Sequence, residues 1–168
     1  MLIFALSLFK SHIMNLTEIA IIIHSTQESE YIKGCKETLD RFGLHCEVKV
    51  FTPLLDPPEL QEFMQKAPER GIKIFIATSS LQSKLAAMIA AYTHLPVIAI
   101  PIGKEGFTDR DATIASVEMP EGAPVAVVSS YPTGGKNAAI LAAQILAFSD
   151  NHLMDRLKLF KQNGCRFV

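Results

Sequence analysis

Ile19-Ala20-Ile21-Ile22-Ile23-His24-Ser25-Thr26-Gln27-Glu28 decides the fold. Five apolar residues run without a break, four of them isoleucine. A strand with one wet face would alternate, so this run reads as a strand buried on both faces. A polar loop follows at once. Ser25 and Glu28 stand three apart, the spacing of a helix capping box. Beyond them Ile32, Cys35, Leu39 and Phe42 fall on one helical face, and Gly43 sits where that helix must stop. Strand, loop and helix in this order make the first half of a parallel βαβ unit.

The pattern repeats down the chain. Cys46, Val48 and Val50 alternate along a second strand. Asp56 caps a second helix, with Pro57 and Pro58 in its first turn and Leu60, Phe63, Met64 and Ala67 on its inner face. Residues 72–77 read as a third strand, 97–100 as a fourth and 125–128 as a fifth. Ser79 or Ser80 caps a third helix that runs to about Tyr92. An alanine-rich helix spans 137–147 and a last one 151–162. Alternation of this kind implies an α/β fold: a doubly wound parallel sheet in three layers, one domain over residues 15–168. Residues 1–14 are expected to be an N-terminal extension, with Met14 an alternative start.

Composition narrows the classes of function. Of 168 residues 49% are hydrophobic and 20% charged, which is globular rather than disordered, and the net charge of −1 speaks against a general nucleic-acid surface. Cys35, Cys46 and Cys165 have no C-x-x-C spacing, so neither a zinc site nor a disulfide framework is indicated. The expected compartment is the reducing cytoplasm. The apolar start lacks the basic opening of a secretory signal, and no later run reaches the ~18 apolar residues of a membrane span.

In a doubly wound sheet, ligands bind beyond the carboxyl ends of the strands, at the point where strand order reverses. Four loops lie there by sequence: 24–28, 52–56, 78–80 and 101–111. Their polar residues Ser25, Glu28, Thr52, Ser79 and Ser80 are the candidate ligand contacts. His24 is either a proton carrier, since an imidazole titrates near neutrality, or a loop histidine bonded to a neighbour. Lys84 either holds an anion or is a solvated lysine on a helix. Pro132-Thr133-Gly134-Gly135-Lys136 lacks the spacing of a phosphate loop.

Two longer segments carry a resemblance. Met119-Pro120-Glu121-Gly122-Ala123-Pro124-Val125-Ala126-Val127-Val128 and Asn137-Ala138-Ala139-Ile140-Leu141-Ala142-Ala143-Gln144-Ile145-Leu146-Ala147 resemble signatures of the PurE family, the carboxyaminoimidazole ribonucleotide mutases and phosphoribosylaminoimidazole carboxylases of purine biosynthesis. Glu69-Arg70-Gly71-Ile72-Lys73 and Leu95-Pro96-Val97-Ile98 fall at matching distances. The likeness implies a flavodoxin-like domain and a homo-octamer. It also implies movement of a carboxylate onto a ring carbon of aminoimidazole ribonucleotide, without metal or cofactor, a histidine shuttling the proton.

The loops depart from that family's pattern. G-S-x-S-D is here His24-Ser25-Thr26-Gln27-Glu28, so a histidine stands for the glycine and a longer acid for the aspartate. S-A-H-R-T-P is Thr52-Pro53-Leu54-Leu55-Asp56-Pro57: leucines replace both the proton-shuttling histidine and the phosphate-binding arginine. The second histidine of the pattern is Lys84. Leucine can neither transfer a proton nor donate to phosphate. The expectation is a PurE-type protein with the mutase activity lost, binding a small ligand with one anionic end or another subunit. Two alternatives stay open. One is an active carboxylase or mutase working through His24 and Lys84; the other is a structural partner of a conventional PurE subunit.

Overall fold

The computed structural model describes residues 17–52, 57–81, 83–104 and 106–168. The expected extension, the Asp56 cap, and Leu54 and Leu55 lie outside them. Strands β1 (Ile19–Ile23), β2 (Cys46–Val50), β3 (Ile74–Ser79), β4 (Val97–Pro101) and β5 (Ala126–Val127) form one parallel sheet in the order β2-β1-β3-β4-β5. Helices α1 (Ser29–Arg41), α2 (Pro57–Lys66), α3 (Leu85–Tyr92), α4 (Asp109–Val117), α5 (Gly134–Leu146) and α6 (Asn151–Gln162) connect and cover it.

Strand periodicity sorts the two cores. Ile19, Ile21, Ile23, Ile74, Ile76, Ile98 and Ile100 face α1, α5 and α6. Ala20, Ile22, Phe75, Ala77, Val97 and Ala99 face α2 and α3, through Leu60, Met64, Leu85 and Ile89. All five residues of β1 are buried, which is why the opening run contains no polar position. Fully burying one such isoleucine stabilises the fold by about 1.5–3 kcal/mol. The flavodoxin-like reading holds. At the end of α1, Gly43 (φ 67°) takes the left-handed turn and donates to Asp40 O at 2.9 Å.

Four local expectations need correction. Ser25 makes no cap: a short 3-10 turn (Thr26–Glu28) intervenes, and α1 begins at Ser29. Strand β3 runs two residues later than expected, so Ser79 ends the strand instead of capping a helix. Helix α3 starts only at Leu85, with Lys84 (φ 43°) before it, while Ser80 and Ser83 bond to each other in the intervening turn. The loop expected over 101–111 contains the start of α4, opened by a capping box between Thr108 and Asp111. That Thr-x-x-Asp signature is legible in the sequence but stands before a stretch with little apolar periodicity.

The alanines of α5 also answer differently from expectation. Ala138, Ala139, Ala142 and Ala143 are wholly buried, and so are Leu153, Leu157 and Phe160 of α6 to within 5%. By the family likeness, a small-residue helix and an apolar last helix of this kind are expected to meet a second subunit of an octamer. Instead they pack inside the chain, where small residues let α5 lie close against α1 and β4.

Candidate ligand site at the strand ends

Strand order reverses between β1 and β3, because β2 lies on one side of β1 and all later strands on the other. Glu28 closes this point. The turn after β1 carries its side chain back over the strand end, where it is 1% exposed. Its Oε2 accepts from the backbone N of His24 at 3.0 Å and from Thr78 Oγ1 on β3 at 2.5 Å. Its Oε1 lies 3.4 Å from Lys104 Nζ, in the loop after β4. A carboxylate buried this deeply persists only with such donors and a counter-charge. Glu28 is therefore a brace joining three strand ends, and both its oxygens are occupied from within the chain.

His24 and Ser25 present the opposite case. Both are half-buried, and His24 Nδ1 and Ser25 Oγ are buried with no hydrogen-bond partner among the described residues. Unpartnered polar atoms at such a place are those a ligand or an ordered water satisfies. They lie on adjacent residues at the end of β1, beside the brace.

The remaining candidates divide. Ser79 Oγ accepts from Ser116 Oγ of α4 at 3.0 Å, and Ser79 O accepts from Ile102 N at 2.9 Å. Ser80 Oγ lies 3.1 Å from Ser83 Oγ. Both serines are buried and hold the loop in shape. Thr52 is half-buried just past β2, whose end is tied to β1 by Phe51 N donating to Ile23 O at 3.0 Å. Lys84 is exposed; its backbone N donates to Ser80 O at 3.2 Å, and it takes no part in the Glu28 network. The structure thus brings His24, Ser25 and Glu28 together with Thr78 and Lys104, and does not bring Lys84 to them.

Sequence reasoning missed Lys104 and Thr78 as partners of the acid. The loop 101–111 was singled out, and Lys104 is its first charged residue, but nothing local says which carboxylate it meets 76 positions away. Thr78 falls inside a buried strand, so its hydroxyl needed a buried acceptor; that requirement is legible once the strand is placed correctly. Among the described residues no group of three or more His, Cys, Asp or Glu could hold a metal ion. No helix among them is long and apolar enough to cross a membrane.

Known proteins match this architecture. The sequence profile of the AIR carboxylase family matches residues 18–166. An N5-carboxyaminoimidazole ribonucleotide mutase of Saccharolobus solfataricus is 34% identical over 146 residues, covering 87% of this chain and 91% of the relative. A mutase of the same name from Bacillus subtilis is 37% identical over 145 residues, covering 86% and 90%. The crystal structure of Treponema denticola PurE superposes with a TM-score of 0.77 at 20% identity, over 87% of this chain and 90% of that one, and so supports the fold. With a profile match across nearly the whole described chain and relatives above 30% identity at almost full length, the chain belongs to the AIR carboxylase (PurE) family of purine biosynthesis.

Proposed function

We propose that this chain keeps the PurE scaffold without the standard mutase activity, and uses its strand-end cleft to hold a small ligand with a polar or anionic end. The observation that carries this reading is Glu28. The family's acid is here lengthened and turned inward, its oxygens taken by His24 N, Thr78 and Lys104. A side chain stands at His24 where the family pattern has a glycine, and the sequence puts Leu54 and Leu55 at the histidine and arginine positions. Losing a general acid-base group commonly costs ~100- to 10,000-fold in rate.

The second reading, a carboxylase or mutase with rearranged residues, is favoured by His24 Nδ1, which has no partner among the described residues. It receives no support from Lys84, which is exposed and outside the network. One experiment separates them: the purified protein is incubated with N5-carboxyaminoimidazole ribonucleotide, and a purine auxotroph lacking the mutase is supplied with this gene. Little or no conversion and no rescue are expected. Near-normal growth that is lost on His24→Ala establishes the second reading instead.

The same proposal includes a homo-oligomer, an octamer by family likeness, in the cytoplasm. With the α5 alanines used inside the chain, the apolar surface left for a second copy is elsewhere. Phe148 is 90% exposed and Leu159 58% exposed. Phe148 also borders a cleft of about 540 Å3 between α5 and α6, with Met154 and Leu157. Sedimentation showing a multimer, dissociated by Phe148→Asp, is the expected result; an 18.5 kDa monomer at micromolar concentration removes this part of the proposal.

A further inference from the structure

We infer that the cleft formed by α1, α5 and the segment after α6 is a binding site for a compact multivalent anion, with a phosphate ester the best match. The cleft encloses about 320 Å3 and shares no lining residue with the four strand-end loops. Arg41 enters it from the last turn of α1, Lys136 from the first turn of α5, and Arg166 from the chain beyond α6.

Three cations therefore converge on one small volume against a single carboxylate, Glu37. The ion pairs of the described residues all lie elsewhere, at Lys66–Glu62, Arg70–Glu47, Lys73–Glu18, Lys104–Glu28 and Lys158–Asp155. A protein of net charge −1 has carboxylates enough to neutralise such a cluster, yet these three cations have none within ion-pair distance among the described residues.

Two features make the cluster a site rather than scattered surface charge. Arg41 is held in place: its guanidinium lies over the Phe167 ring, 4.8 Å from the centroid. A cation–π contact restrains the guanidinium without using its N–H donors, which suits phosphate recognition. The rings of Phe160 and Phe167, 4.8 Å apart, line the same cleft and offer an apolar wall for the body of an ester. Convergent polar groups beside an apolar wall are the usual make-up of a small-molecule pocket, and the volume lies at the small end of that range.

The cleft also contains its own reporter. Cys165 lines it and is exposed, whereas Cys35 is buried and Cys46 half-buried. The test is alkylation of the assembled protein with iodoacetamide, followed by intact mass, over a pyrophosphate titration. Sodium chloride at equal ionic strength is the control. Expected is a saturable slowing of Cys165 modification, about fivefold or more near saturation, because occupancy removes the reactive form in proportion to ligand over Kd. Chloride should leave the rate within about twofold, since screening acts on every exposed charge alike. Lys136→Gln and Arg166→Gln should each raise the half-saturating concentration by about tenfold, as expected for one charge-assisted contact. Half-saturation does not depend on how either variant changes the thiol's own rate. The inference is overturned by slowing that chloride reproduces, by an unchanged half-saturation in both variants, or by a Cys165 that does not react without ligand.

Discussion

Lys104 Nζ lies 3.4 Å from Glu28 Oε1, so the ammonium after β4 is the counter-charge of the carboxylate after β1. The distance is long for a hydrogen bond, and the pairing is chiefly electrostatic. Its importance comes from the environment: the Glu28 side chain is 2% exposed and that of Lys104 23%. Breaking such a pair from the cationic side leaves a buried charge without compensation, which costs more than removing both charges together. Lys104→Met should therefore destabilise the protein by about 2–4 kcal/mol. Glu28→Gln should cost less, because Lys104 can turn to water. The double variant should be more stable than the two single losses sum to, by at least about 1 kcal/mol. Urea unfolding of the three variants measures this, and strict additivity means that the two residues are not coupled.

Gly134 and Gly135 open α5 against α1 and the end of β4. A Cβ on Gly134 would stand 2.1 Å from Ser129 O and 2.9 Å from Ile100 Cγ2; one on Gly135 would stand 2.9 Å from Tyr31 O and 3.0 Å from Cys35 N. Most of these are backbone atoms that cannot rotate away. Either glycine changed to alanine should destabilise by about 1–3 kcal/mol, the usual cost of forcing a methyl group into a packed interior. Gly122→Ala is the comparison: no atom of the described residues lies within 4 Å of its added Cβ, but its φ of 90° strains an L residue. The clash and the strain are separable by hydrogen exchange. The Gly134 variant should loosen amides of α1 and α5, and the Gly122 variant only its own loop.

Much of the fold was legible because it rests on local periodicity. The Ile19–Ile23 run, the Ile32-Cys35-Leu39 face of α1 and the stop at Gly43 each follow from neighbours a few residues apart. The misplaced elements are those whose signal is weak or ambiguous. In Ile72-Lys73-Ile74-Phe75-Ile76-Ala77-Thr78-Ser79 the expected strand ends at Ala77, before the first hydroxyl, though buried hydroxyls with partners belong in a strand as readily as alanine does. Helix α4 carries Asp109, Arg110 and Asp111 in its first turn, so its apolar face is short. The site was legible only as a set of loops. Which groups meet at Glu28 depends on strand register, and that Ser79 faces Ser116 depends on a helix the pattern did not reveal.

The thiols provide a pH test of the α1 side of the core. Burial first, and then the neighbouring Cys46, push the Cys35 thiol far above its ordinary range. Burial, then Asp40, raises that of Cys46, with Lys36 opposing. A thiol whose folded pKa is raised keeps its proton when the unfolded chain would lose it. The unfolded state then binds fewer protons, and stability falls as pH rises. For Cys35 this loss begins near the unfolded value, about pH 8.5, and proceeds at up to about 1.4 kcal/mol per pH unit. Below that the contribution is constant. Urea midpoints from pH 7 to 10 should show the decline, and Cys35→Ala should flatten it whatever its effect on absolute stability. Alkylation of Cys46 should need a pH above that of a free thiol.

The strand-end cleft should hold aminoimidazole ribonucleotide poorly. Glu28 is buried, and its carboxylate is already engaged by His24 N and Thr78 Oγ1 at one oxygen and by the charge of Lys104 at the other. A glycine in place of His24 would let the phosphate approach the backbone closely, and a side chain at that position is expected to obstruct it. The arginine of the family pattern is Leu55, so no guanidinium is supplied from the second loop. Affinity for the ribonucleotide should be millimolar or weaker, roughly −4 kcal/mol or less favourable. Leu55→Arg alone should tighten it little, since the obstruction at residue 24 remains. Leu55→Arg with His24→Gly should tighten it about tenfold or more, as expected when a charge-assisted phosphate contact is restored. Calorimetric titration of the parent and both variants gives the comparison. Micromolar binding by the unaltered protein means that the unpartnered His24 Nδ1 and Ser25 Oγ recognise the ribonucleotide themselves, and that the histidine is a ligand contact rather than an obstruction.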